Sequence, residues 1–206
     1  MKTSILIFDG ITALDAVGPY EVLSRPPGWE VEFVGKARGE VRTDSGALGL
    51  SADRALDEVE ETDILLVPGG KGNRPLLEDE EVLGWVRRLD EQSTWTTSVC
   101  TGSLVLGAAG LLASHRATGH WLYLEKLRDY GAVPVRERWV EDAELLTAAG
   151  VSAGIDMALH LVGLEAGPEA AQAVQLAIEY DPQPPFDAGS PEKAPAEIVA
   201  KLSGRS

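Results

Sequence analysis

Four consecutive apolar residues, Ile64-Leu65-Leu66-Val67, run directly into Pro68-Gly69-Gly70. A strand with no polar alternation has no face to offer water, so it must be covered on both sides. Sheets covered on both faces are mostly parallel, and parallel strands need crossover connections, usually helices. The proline and two glycines then end the strand in a loop. This run alone points to a parallel sheet between two layers of helix.

The rest of the chain is patterned to match. Buried-strand candidates at residues 5–8, 29–34, 64–67 and 94–99 alternate with helical patterns at residues 14–23 and 75–91 and after residue 100. Gly39, Gly46 and Gly49 punctuate a polar stretch that reads as a small hairpin. A helix over 121–130 is followed by short strands at 133–140 and 145–148, then by helices over 153–164 and 169–180. Such βαβ alternation predicts an α/β fold with a mostly parallel central sheet and helices on both faces. No repeat or low-complexity linker interrupts the 206 residues, so residues 1–190 are read as one domain and 191–206 as a tail. The prolines of Asp181-Pro182-Gln183-Pro184-Pro185-Phe186 forbid helix and interior strand. That segment is expected to run extended over the surface, with a short terminal helix over residues 195–202.

A formal net charge of -15 argues against nucleic acid and anionic membranes as partners, since both attract basic patches. No apolar run approaches the roughly 20 residues of a membrane span, and the N-terminus lacks the layout of a signal peptide. With a single cysteine, Cys100, an intrachain disulfide and a multi-cysteine zinc site are ruled out, and a cytoplasmic location is expected. No ligand cluster for a metal or organic cofactor is visible, and none is expected.

Cys100 stands where β-branched residues give way to Thr101-Gly102-Ser103 and a leucine/valine stripe. This is the pattern of a strand, a sharp turn and a buried helix, with sulfur at the turn. A thiol there is expected to be exposed and to face a helix N-terminus, whose dipole and free N–H groups favour the thiolate. Gly102 allows the helix to approach the sheet. Asp15 lies in an apolar neighbourhood of Leu14, Ala16 and Val17; burial there raises a carboxyl pKa and brings it within reach of the sulfur. The alternative is a helix-capping acid. Thr101 reads equally as a residue that positions water and as a helix N-cap. Trp121 and Trp139 either wall a pocket or pack in the core. His115 reads as a surface loop residue, His160 as helix packing, and Glu21 as solvated or structural.

Five blocks in order carry a family resemblance: Leu14-Asp15-Ala16-Val17-Gly18-Pro19-Tyr20-Glu21-Val22, Val67-Pro68-Gly69-Gly70, Ser98-Val99-Cys100-Thr101-Gly102, Ala117-Thr118-Gly119-His120-Trp121, and Thr147-Ala148-Ala149-Gly150-Val151-Ser152-Ala153-Gly154-Ile155-Asp156. With them the chain resembles the PfpI/ThiJ superfamily, whose glutamine-amidotransferase-like fold is a flavodoxin-like α/β sandwich, up to about Ser190. Within it the chain looks most like the isonitrile hydratase branch, to which the segment Glu179 to Phe186 adds support. The resemblance implies Cys100 as nucleophile on a strained elbow, with Asp15 and Thr101 managing protons and water. It also implies Gly70, or less favourably Gly69, as a backbone donor that joins the Thr101 N–H in stabilising developing charge. His120 is placed near the pocket with Gly119 and Trp121. Relatives commonly have a second threonine where Gly119 stands, which leaves open whether His120 joins the chemistry.

The implied reaction is addition of Cys100 to an isonitrile carbon and hydrolysis of the adduct to an N-substituted formamide, on a small neutral substrate. Two alternatives stand beside it. One is glyoxalase, deglycase or other thiol-hydrolase chemistry, which usually leans on a glutamate and a competent histidine. The other is a non-enzymatic thiol redox sensor or ligand-binding domain, related to regulators that append a DNA-binding helix pair. The resemblance further implies a homodimer formed through the first helix and the extended tail.

Overall fold

The computed structural model describes residues 1–204; Arg205 and Ser206, the end of the expected tail, lie outside the described residues. The chain opens with strand β1 (Lys2–Leu6), helix α1 (Ala13–Leu23) and strand β2 (Glu30–Gly35). Strands β3 (Gly39–Arg42) and β4 (Gly49–Ala52) form the hairpin expected from the glycines, and the short β5 (Arg54–Ala55) follows. The apolar run becomes β6 (Ile64–Val67), trailed by helix α2 (Glu80–Asp90). Then come β7 (Trp95–Val99), α3 (Gly102–Ala108), and the short strands β8 (Arg116–Ala117) and β9 (Val133–Pro134). The chain finishes with β10 (Trp139–Asp142), β11 (Leu145–Ala148), α4 (Ala153–Glu165), α5 (Pro168–Ala177) and α6 (Ala196–Ser203).

The central sheet has seven strands in the order β10-β11-β7-β6-β1-β2-β5. Every pairing is parallel except β10 with β11, which closes one edge as an antiparallel hairpin. Ile5 pairs with Leu66, Leu66 with Thr97 and Thr97 with Leu146, a row through the middle of the sheet. Ile64 to Val67 are fully buried, as an unalternating strand requires. Thr96, Thr97 and Ser98 are buried beside them, and the Thr97 hydroxyl donates to the Leu65 carbonyl at 2.9 Å. Among the described residues no helix is long and apolar enough to cross a membrane.

Several boundaries depart from the sequence pattern. The first strand lies over Lys2–Leu6 rather than 5–8, because Thr3 and Ser4 are buried in it while Ile7 and Phe8 continue into the following loop. The helix expected over 75–91 splits: a 3₁₀ segment spans Lys71–Glu78, and α2 begins afresh at Glu80 with Asp79 as its cap. The Asp79 carboxylate accepts the N–H groups of Glu81 and Val82, competing with helix continuation as a capping acid does. The helix expected over 121–130 is also a 3₁₀ segment, Leu124–Tyr130, ended by left-handed Gly131. The stretch 133–140 breaks into β9 and β10, and α5 stops at Ala177 rather than 180.

Two close approaches position the site. At Gly102 a β-carbon would run into the Val67 carbonyl oxygen, so α3 lies directly on the end of β6. Between α1 and α4, a β-carbon at Gly18 would stand 3.0 Å from Ile155, and one at Gly154 would stand 3.0 Å from Pro19. That packing fixes the start of α1, and Asp15 with it, against the strand ends.

Candidate active site

Strands β1, β6, β7 and β11 all point their carboxyl ends to one edge, where open α/β sheets bind ligands. Cys100 follows β7 there with φ of 61°, a left-handed conformation that costs a non-glycine residue on the order of 1–3 kcal/mol. Its neighbours hold it in place. The Cys100 N–H donates to the carbonyls of Ala148 and Ala149 at 3.1 Å each. Its own carbonyl accepts the His120 N–H at 3.2 Å and the Ser103 hydroxyl at 3.1 Å.

Cys100 is only 5% exposed, which corrects the expectation of an open, preformed thiolate. Burial pushes the Cys100 pKa up, and the neighbouring Asp15 charge pushes it further. The backbone N–H groups of Thr101 and Val151 act in the opposite direction by donating to the sulfur. The helix N-terminus is there, but loss of water outweighs it.

Asp15 is fully buried, and burial pushes its pKa up to about 7. The Gly69 N–H, donating to Oδ2 at 2.9 Å, and the adjacent Cys100 thiol both act to lower it, while the charge of Asp44 raises it. Its other oxygen, Oδ1, is buried with no partner of full hydrogen-bond geometry. Asp15 does not cap α1, since its bonds run across to the loop after β6. Because Gly69 is bonded to Asp15, its N–H is not the free donor that the resemblance implied as second choice to Gly70. A β-carbon at Gly69 would stand 2.5 Å from the Thr101 nitrogen and 3.0 Å from Asp15 Oδ2. Gly70, at φ of 140°, donates its N–H to the Thr101 hydroxyl at 3.1 Å, so in this structure it too is bonded within the site and not aimed at an open position over the sulfur. Thr101 makes no side-chain cap on α3. Its carbonyl is held by the buried Asn73 amide at 2.8 Å.

A cleft of about 610 Å³ opens over the sulfur, lined by Cys100, Thr101, Gly70, His120 and Val151 among others. A groove of similar volume, about 630 Å³, between α1 and α5 is lined by none of these residues. Among the described residues no three His, Cys, Asp or Glu side chains gather as a metal would need. The DJ-1/PfpI family profile matches residues 1–164. The chain belongs to the DJ-1/PfpI family.

Among its DJ-1/PfpI relatives, isonitrile hydratase from Pseudomonas putida is 44% identical over 206 residues, covering 100% of this chain and 90% of that enzyme. A transcriptional regulator of the helix-turn-helix type from Pseudomonas aeruginosa is 34% identical over 139 residues, or 66% of this chain and 40% of the regulator. The crystal structure of a ThiJ/PfpI family protein from Pseudomonas syringae superposes with a TM-score of 0.96 at 35% identity, covering 99% of this chain and 85% of that one.

The DJ-1/PfpI fold thus brings Cys100, Asp15, Thr101, Gly69 and Gly70 together. It separates others. Trp121 and Gly119 face an adjoining cavity of about 430 Å³, with His120 and Val151 on the wall between the two. His120 stacks on Trp121 with centroids 5.9 Å apart, and its Nδ1 accepts the Leu122 N–H at 3.3 Å. Burial lowers its pKa, so it stands neutral, and among the described residues it makes no hydrogen bond to the sulfur. Gly119 leaves no room for a second threonine: a β-carbon there would lie 2.9 Å from the Cys100 carbonyl oxygen and against the Ser103 hydroxyl. Trp139 and His160 line a separate groove, and Glu21 pairs with Arg25 at the surface. Sequence reasoning passed over Val151 and Asn73. Val151 sits at φ of 44°, strained for a β-branched residue. The Gly150-Val151 pair between a strand and a helix was a visible turn signal, but only sheet order places it beside β7.

Proposed function

We propose that this chain hydrates isonitriles to N-substituted formamides through Cys100. The observation that carries this is the pairing of a thiol whose pKa is raised with a buried carboxyl that titrates near neutrality. A thiol that is not ionised at rest needs a base at the moment of attack, and Asp15 is the group on hand. The 44% identity to the Pseudomonas putida isonitrile hydratase over the whole chain supports the same reaction.

The sulfur forms a bond to the terminal isonitrile carbon while Asp15 takes the thiol proton and returns it to that carbon. The product is a thioimidate. Water then adds to the same carbon, losing one proton through Asp15 to the nitrogen. Collapse breaks the carbon–sulfur bond, returns the hydroxyl proton to sulfur and releases the formamide. The N–H groups of Thr101 and Val151, already on the sulfur, stabilise the charge it carries in each step. The Thr101 hydroxyl accepts the Gly70 N–H and keeps its own proton to orient the incoming water. A small end-on carbon suits a cysteine that is only 5% exposed.

The test is turnover of cyclohexyl isocyanide, followed as formation of N-cyclohexylformamide. Wild-type protein should turn it over, and Cys100→Ala should lose at least about a thousandfold of that rate. Absence of formamide from the wild type would overturn the proposal. We further propose a homodimer, supported by Leu14 on α1, 40% exposed, and Phe186 on the extended tail, 78% exposed. Light scattering across a dilution series measures it.

A further inference from the structure

The cations of this chain are nearly all committed. Lys2, Arg25, Lys36, Arg38, Arg116, Arg136 and Arg138 each hold a carboxylate, as do most of the others. Among the described residues five make no ion pair. Arg88 donates to the carbonyls of Val59 and Leu56, and Lys201 lies on the terminal helix. The remaining three, Lys71, Arg74 and Lys126, line one and the same cleft, the one that opens over Cys100.

Their placement follows from two elements already described. Lys71 is the residue after Gly70 and begins the 3₁₀ segment Lys71–Glu78. With three residues per turn, Lys71 and Arg74 fall on one edge of that segment. Lys126 comes from the other 3₁₀ segment, Leu124–Tyr130, and rests its ammonium over the Tyr123 ring at 5.2 Å. All three are exposed at the mouth, while the sulfur is buried below. Two carboxylates share the lining, Asp44 and Asp129. Asp44 accepts the Thr12 hydroxyl at 2.9 Å on the α1 side of the cleft. Among the lining side chains the three cations outnumber the two carboxylates, on a chain of net charge -15.

In so acidic a chain, three cations at one mouth repel each other, and none of them has a carboxylate partner among the described residues to offset it. They are well placed for a negative charge that arrives with the substrate. We infer that Lys71, Arg74 and Lys126 form an anion-binding subsite, and that the substrate is an isonitrile whose far end carries a carboxylate. This rests on the isonitrile reading of the Cys100 centre and deepens it. The reacting carbon is neutral and descends to the sulfur, while the other end stays at the mouth and pairs there. The three cations also draw such a molecule in against the negative field of the rest of the surface.

Isocyanoacetate and its methyl ester differ in the charge and a methyl group, and they are the probes. With wild-type protein the ratio of kcat/KM for acid over ester is measured. With Cys100→Ala, which cannot turn over, Kd for each is measured by calorimetry. The acid should be favoured about tenfold, equal to about 1.4 kcal/mol. The preference should vanish in the Lys71→Met/Arg74→Met/Lys126→Met variant. It should also shrink in unaltered protein as salt rises toward ~1 M, where the screening length falls to about 3 Å; this arm needs no substitution to fold. Equal affinity for acid and ester, or a preference that survives both the triple variant and salt, would overturn the subsite. If the acid binds with the expected charge dependence but neither probe is consumed, the anion subsite stands and the hydratase reading falls.

Discussion

The Asp15 carboxyl lies against the Cys100 thiol as a base beside an acid, and both hold their protons to a higher pH than they would in water. The carboxyl, fully buried, titrates at about 7 rather than 3.8, and the thiol is held protonated by burial and by that carboxyl. Ionised Asp15 is therefore the form that can remove the thiol proton, and protonated Asp15 is the form that can return it to carbon. A group that titrates near 7 is able to serve as both within one cycle.

The pH–rate profile follows from this. The active free enzyme carries the thiol proton but not the Asp15 proton, so kcat/KM for an isonitrile should rise with pH through about 7. In Asp15→Asn the rise should disappear and the plateau should fall by about 10²–10⁴-fold, the usual range for a lost acid–base group. Initial rates from pH 5 to 9 on both proteins measure it. A rise of the same midpoint in Asp15→Asn would exclude Asp15 as its source.

Stability should move the opposite way. A carboxyl whose folded pKa is raised above its unfolded value stabilises the fold fully below the unfolded value, and that contribution is lost as pH climbs through the folded one. For Asp15 the window runs from about 4 to about 7. At about 1.4 kcal/mol for each tenfold of proton affinity, the loss reaches a few kcal/mol. Asparagine can still accept the Gly69 N–H and has no charge to bury. The Tm difference between Asp15→Asn and wild type should therefore grow in favour of the variant between pH 4 and pH 8. Thermal melts at matched ionic strength would show a constant difference if Asp15 does not titrate there.

His120 gives a test of a different kind. Its Nδ1 is used by the Leu122 N–H and its ring stacks on Trp121, so it shapes the wall between two cavities instead of serving the sulfur. His120→Asn should change KM more than kcat and leave the midpoint near pH 7 in place. A collapse of kcat comparable to that of Cys100→Ala would make His120 the base after all.

The sequence made some of this visible and concealed the rest for physical reasons. Ile64 to Val67 announced a buried parallel strand because nothing polar interrupts it, whereas β1 was displaced because Thr3 and Ser4 are buried polar residues that pattern alone assigns to the surface. The elbow at Cys100 was legible from its small and β-branched neighbours. The state of its sulfur was not, since a helix N-terminus and burial act on it with opposite sign and only the packed structure shows that burial prevails. Asp15 was recognisable from its apolar neighbours on one helix. Val151 was not, because it reaches the sulfur through the pairing of β11 with β7, a contact between residues far apart in the chain.

The contact between Gly102 and the end of β6 makes the final prediction, because two glycines on neighbouring helices should respond with opposite sign. A β-carbon at 102 would strike the Val67 carbonyl oxygen and come within 2.9 Å of the Pro68 carbonyl oxygen. Both are backbone atoms, so no rotamer change relieves the clash. Gly102→Ala must push α3 off the sheet, at a cost of about 3 kcal/mol or more. For a chain of this length that lowers Tm by about 6–12 °C. Since Thr101 immediately precedes that helix, turnover should fall as well. Gly84 in α2 has nothing within 4 Å of its would-be β-carbon. Gly84→Ala should raise stability by about 0.5–1 kcal/mol through helix propensity alone, with activity intact. Melting curves of the two variants beside the wild type decide it, and equal shifts in one direction would mean that α3 does not rest on the Val67 carbonyl.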